Sequence, residues 1–152
     1  MADSFVTING LRLDIPGFAT VDDLTPLQRR ARKRGTNFTS EGVTGTTFQP
    51  KVADELPVLL QVVVFGTNNH LGVAHPYNRS GFQANYDHIH DSCVAASDLV
   101  LVPLVLTLDD GTTRTADVEC LSFDVARYGA TRGRGAVWVG PLEIVIPTGK
   151  LV

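Results

Sequence analysis

The chain has little cysteine: Cys93 and Cys120 are the two in 152 residues. Their spacing fits neither a zinc pattern nor a redox Cys-x-x-Cys pair. Both are expected to be reduced, partly buried small hydrophobes. Charge is also scarce, at 19% of residues against the ~25% usual in soluble proteins. A formal net charge of −3 argues against global attraction to nucleic acid. No apolar run is long enough for a transmembrane helix. The strongest, Leu56–Phe65, has ten residues, about half of what a span needs. The opening Met1-Ala2-Asp3-Ser4-Phe5 lacks a basic n-region and an apolar h-region. No signal peptide is therefore expected, and synthesis is placed in a cytoplasm. Internal repeats and low-complexity tracts are not seen.

Catalytic constellations are lacking too. No Gly-x-Ser-x-Gly elbow is present. No His-x₃-His or Glu-x₂-His pair converges on one ion. Asp87, His88, His90 and Asp91 lie close together. On a helix Asp87 and Asp91 share a face, but His88 and His90 diverge by about 200°. A solvated helix face is the expectation there. Thr148-Gly149-Lys150 echoes the end of a phosphate loop but lacks its leading glycine spacing. No catalytic residue, metal ligand or cofactor is assigned, and an enzyme is not expected.

What the chain has is apolar content, 43% hydrophobic residues, enough for one domain with a sizeable core. Low charge with high apolar content also suits a protein whose surface is partly buried in an oligomer. Leu56–Phe65 is rich in Val and closed by Gly66, which favours a strand near the centre of the fold. Its near-continuous apolar character predicts cover on both faces, by a core and by a sheet, helix or neighbouring subunit. Residues 4–8 and 11–15 alternate around Asn9-Gly10, the strongest short hairpin signal. Pro16-Gly17 ends the second strand. Ser80 with Gln83 reads as a capping box. Phe82, Tyr86, Ile89 and Cys93 then recur at helical spacing and predict one helix over 81–96, packed across a sheet. Residues 99–108 form an apolar strand, interrupted by Pro103 at an edge or bulge. Asp109-Asp110-Gly111 turns into an alternating strand over 112–123, and the final strand covers 136–146. Strands with one helix imply a mainly β fold, a β-sandwich or split barrel with one flanking α-helix.

Residues 18–55 stand apart. A single turn is expected near Pro26, followed by Arg29, Arg30, Arg32, Lys33 and Arg34, then a Gly/Thr-rich stretch with Phe38 and Phe48. Weak structure of that length reads as an extended arm that orders on a partner, or as a surface loop. Three readings of the basic cluster compete. It is a solvated arm, or it docks on an acidic face of a neighbouring subunit around Asp109, Asp110, Asp117 and Glu119, or it contacts nucleic acid. No aromatic residue is interleaved within it for base stacking.

Short phrases along almost the whole chain carry a family resemblance. They are Thr7-Ile8-Asn9-Gly10, Asp23-Leu24-Thr25-Pro26, Arg34-Gly35-Thr36-Asn37, Gly42-Val43-Thr44-Gly45, Val62-Val63-Val64-Phe65-Gly66 and Ile146-Pro147-Thr148-Gly149. Together they resemble the short minor tail proteins of long-tailed phages that infect actinobacteria. Those are similar to the N-terminal ring domain of the distal tail protein. The family usually has Pro-Gly in the second glycine phrase, where this chain has Gly42-Val43-Thr44-Gly45. The resemblance implies a fold related to the phage tail tube, with residues 1–152 as a single tail-ring domain. It implies a homo-oligomeric ring, hexamer favoured and trimer possible, joining the tail tube to the tip complex in the virion. The implied partners are other copies, the tail-tube protein, the tail-tip hub protein and the tape-measure protein. Nucleic acid passes only transiently through the channel, and no membrane is involved. The segment over 24–55 then corresponds to an arm against neighbouring subunits, with Arg29, Arg30, Arg32, Lys33, Arg34, Phe38 and Phe48 as interface residues. Two alternatives stay open: a tail-tube or tail-terminator ring protein, and a carbohydrate-binding β-sandwich. The second would need an exposed platform drawn from Tyr77, Tyr86, Tyr128 or Trp138.

Overall fold

The computed structural model describes residues 3–34, 52–124, 127–129 and 137–152. Its strands in chain order are β1 (Phe5–Ile8), β2 (Leu11–Arg12), β3 (Ala19–Val21), β4 (Lys33–Arg34), β5 (Val52–Ala53), β6 (Leu56–Phe65), β7 (Val102–Thr107), β8 (Thr113–Phe123), β9 (Arg127–Gly129) and β10 (Val137–Ile146). One α-helix, α1 (Asn78–Cys93), and two 3₁₀ turns, Thr25–Gln28 and Ala95–Ser97, complete the described elements.

The first hairpin forms around Asn9 and Gly10, at φ 51° and 79°. Both angles are positive, as a type I′ turn requires. The second strand is shorter than expected, because beyond Arg12 only Leu13 still bonds β1, through Val6 O at 3.0 Å. The chain then crosses to the far end of the sheet and forms β3, a strand the sequence pattern did not indicate.

All strand pairs are antiparallel. The main sheet runs β2-β1-β7-β8-β10-β6-β3, with β9 continuing the line of β8 along β10. β8 makes this a split barrel. Its first half, Thr113 to Val118, pairs with β7, and its second half, from Glu119 onward, pairs with β10. One strand therefore belongs to two leaves. The register slips between Glu143 and Ile144, leaving Leu121 without a partner on β10. Such a bulge bends a strand and increases its twist. Val6, Ile8, Leu104 and Leu106 from one leaf and Leu60, Val62, Leu142 and Ile144 from the other form one core between the leaves.

Pro103 fits this arrangement without a bulge on β7. It lies opposite Asp117, and its carbonyl accepts from Asn9 N at 2.8 Å, where β1 has already turned away. The missing N–H thus falls just past the end of the β1 ladder, a local edge.

Two expectations about the apolar strands are corrected. β6 lies between β10 and β3 rather than at the centre, which β8 occupies. Only its Leu56, Val58, Leu60, Val62 and Val64 face is core, while Pro57, Leu59 and Gln61 are exposed. The apolar segment 99–108 also splits. β7 starts at Val102, and Leu99, Val100 and Leu101 are exposed before it.

The helix starts earlier than its capping signal suggested. Tyr77 is the N-cap, Ser80 Oγ donates to Tyr77 O at 3.4 Å, and Gln83 Nε2 donates to Asp87 Oδ1 at 3.0 Å. The Ser80–Gln83 box therefore does not form. Close backbone packing sets the start instead. A Cβ on Gly81 would lie 2.7 Å from Gly66 O and 2.7 Å from His75 Cβ, and one on Gly66 would overlap Asn78 O. Glycine at both positions lets the first helical turn sit against the end of β6. Phe82, Ile89 and Cys93 are buried along the expected stripe. Tyr86 donates its hydroxyl hydrogen bond to Phe123 O, so the helix bridges the ends of β6 and β8.

Candidate assembly surface

The basic segment is rooted, not free, at its start. Asp23 Oδ1 accepts from Thr25 N at 2.9 Å and Pro26 opens the 3₁₀ turn, as the single predicted turn there implied. Leu27 is fully buried in the main core. Ala31 N donates to Gly149 O at 2.8 Å, and Asp54 N donates to Arg32 O at 2.8 Å. β4 and β5 pair as two residues each, which places Lys33 and Arg34 beside Ala53 and Val52. Of the expected arm of 24–55, the described part, residues 24–34 and 52–55, is docked on the fold.

Arg29, Arg30, Arg32 and Lys33 are all exposed. Among the described residues they make no ion pair. Arg29 lies close enough to Asp23 to help hold that carboxyl below its ordinary range, after the hydrogen bonds from Thr25. Arg34 has its backbone in β4. Phe38 and Phe48 lie outside the described residues.

Register places a second feature beside this root, on the outer face of the β6-β10-β8 leaf. Val145 is opposite both Pro57 and Glu119, and Glu143 is opposite both Leu59 and Ser122. Leu101 continues the first row, since Val102 opposite Val118 puts it beside Glu119. Relative exposure is 57% at Leu59, 45% at Leu121, 43% at Leu101, 70% at Val100 and 96% at Leu99. At the β6 end, Pro26, Arg29, Pro57, Val58, Leu59 and Glu143 line an open groove. At the β8 end, Ser97, Asp98, Leu99, Val100, Leu101 and Glu119 line a second open pocket.

The apolar runs had concealed this face, because composition alone does not reveal its owner. A usable signal was present: Pro57 and Gln61 share the parity of Leu59, which marks that phase of β6 as outward.

Polar chemistry gathers elsewhere, under the helix. Asn85 is buried, and its Nδ2 donates to Phe65 O at 2.6 Å and Asn68 O at 2.7 Å. Its Oδ1 must then accept from His75 Nε2 at 2.9 Å, which places the proton on that nitrogen. His88 does not sit on a fully solvated face as expected. It is half-buried and stacks on His70 at 4.0 Å, with Phe18 edge-on to both rings. Desolvation first, then His70, hold its pKa below the ordinary value. Cys93 and Cys120 are free and buried; contact with Cys120 and burial push the Cys93 thiol far up. No group of three His, Cys, Asp or Glu side chains among the described residues is placed to hold a metal ion. Tyr86, one of the proposed platform residues, is half-buried and stacked on Phe123 at 5.2 Å, while Tyr77 is exposed.

No family model matches the chain, and no curated protein does. Its fold is similar to a solved structure described as SPP1 Dit (gp 19.1) protein, "a Paradigm of Hub Adsorption Apparatus in Gram-positive Infecting Phages". The TM-score is 0.60 at 11% sequence identity, over 97% of this chain and 51% of that one. The chain thus spans about half the length of the solved structure it matches.

Proposed function

We propose that this chain is a structural subunit of a phage tail, of the distal-tail or hub kind, that works as a homo-oligomeric ring in the virion. The observation that carries this reading is the fold likeness to the SPP1 hub protein along 97% of the chain. The docked root of the basic arm supports it. The 3₁₀ turn and the β4–β5 pair anchor both ends of that segment beside each other, as a clamp on a neighbour would require. The role is mechanical, not enzymatic. Copies close around an axial channel between tail tube and tip, adjoining the tube, hub and tape-measure proteins. Arg29, Arg30, Arg32 and Lys33, exposed and without ion pairs among the described residues, then meet acidic groups on the next copy.

Native mass spectrometry across a concentration series tests this. A discrete hexamer or trimer is expected; a strict monomer at every concentration counts against a self-assembling ring. Removing residues 29–48 is expected to leave a folded monomer that assembles poorly. A full ring from that variant would refute the clamp.

A further inference from the structure

The turn that follows β6 is fastened firmly at its base. Asn68 N donates to Gly17 O at 2.8 Å and Asn68 Nδ2 to Pro16 O at 3.1 Å. His75 N donates to Thr67 O at 2.9 Å, and Asn85 Nδ2 reaches Asn68 O at 2.7 Å. The tip, residues 69–73, bonds to itself. Asn69 N donates to Val73 O and Gly72 N to Asn69 O, while Asn69 Oδ1 accepts from Leu71 N and Val73 N. Among the described residues no hydrogen bond or ion pair ties this tip to the rest of the fold. Its tie is the His70 ring, stacked on His88 of α1 at 4.0 Å and set edge-on to the fully buried Phe18 at 6.2 Å.

We propose that the His70–His88 stack is an acid-released latch, in which a second proton parts the rings and the 69–73 tip swings off α1 about its fixed base. One imidazolium over a neutral ring is a favourable pairing of cation and π face. Two imidazolium rings at 4.0 Å, with Phe18 excluding water beneath them, repel. The other ionisable groups on the elements packed here are few. α1 brings Asp87, His90 and Asp91, all on its own surface; Asp91 lies 3.9 Å from His90 and draws a proton toward His88. The turn brings His75, bonded to Asn85. The segment Ile15-Pro16-Gly17-Phe18 brings none. Asp87 and Asp91 are thus the carboxylates of these elements, and both are exposed. Desolvation and His70 already oppose a proton on His88, so the second step falls below the ordinary 6.5 and the pair titrates as a unit. Release exposes the underside of a turn whose Leu71 and Val73 already face outward. The latch lies outside the ring reading and does not depend on it.

The test is NMR of the isotope-labelled full-length chain at about pH 7.5 and about pH 5. Cross-peaks between the His70 and Phe18 rings are expected at the higher pH and lost at the lower, while the Asn68 amide keeps its shift. Cross-peaks that persist at the lower pH would overturn the latch. So would their loss together with the Asn68 shift, which marks general unfolding rather than a moving tip. H88F and, separately, H70F keep a ring in the stack that cannot take the second charge. Each is expected to hold the contact between position 70 and Phe18 at both pH values. Loss of that contact in acid, in a variant that keeps the Asn68 shift, would also overturn the proposal. Either variant alone decides, so a folding defect in one leaves the test intact.

Discussion

Asn85 and Ser97 are the buried polar side chains among the described residues, and each replaces something the backbone fails to supply. Asn85 satisfies two carbonyls where β6 ends and fixes the His75 loop against the helix. Asn85→Ala would leave both carbonyls and one imidazole N–H without partners. It is expected to cost roughly 2–3 kcal/mol in urea unfolding; a cost below about 0.5 kcal/mol would show that water replaces the amide. Ser97 works at the edge of β8. Its hydroxyl accepts from Cys120 N at 3.0 Å and lies 3.1 Å from Cys120 O, standing in for a missing strand. Such residues are not legible in a sequence. Asn85 reads as one more polar position on a helix until β6 arrives beneath it.

At the scale of elements, local signals were readable and remote ones were not. The Asn9-Gly10 hairpin, the β7–β8 hairpin and the helical stripe are dictated by neighbours in sequence. β3 exists only because β6 offers it an edge, and three residues carry no pattern of their own. Leu99–Leu101 reads as strand in the sequence because an apolar run looks the same whether it is paired in a sheet or exposed before one. The helix also brings a pH dependence. His88 has its pKa depressed in the folded state, by desolvation and by His70, with Asp91 pulling the other way. Around and below the ordinary value of 6.5 the unfolded chain therefore binds more protons. The stabilising contribution is complete above that pH and is lost as pH falls through it toward the folded value. The melting temperature is expected to drop between about pH 7 and about pH 5. His88→Phe, which keeps a ring stacked on His70 and edge-on to Phe18, is expected to flatten that drop. An unchanged acid limb would assign it to other groups.

For the molecule as a whole, inside and outside should separate cleanly under mutation. Leu99→Ser with Leu101→Ser is expected to shift unfolding by no more than about 0.5 kcal/mol, while reducing self-association seen by sedimentation. Leu60→Ala, in the shared core, is expected to cost about 2–5 kcal/mol. If the surface pair destabilised the monomer as much as the core change, those leucines would be internal packing after all. The strand order also has a consequence in time. β10 lies between β6 and β8, yet some 70 residues separate the end of β6 from its start. At ribosomal rates that interval is roughly 4–14 s. Throughout it the nascent chain holds β6 with its longest pairing edge open, an edge that other copies emerging nearby could take. Slow codons placed after residue 65 would lengthen that window and lower the soluble yield, whereas faster translation of the same stretch would raise it.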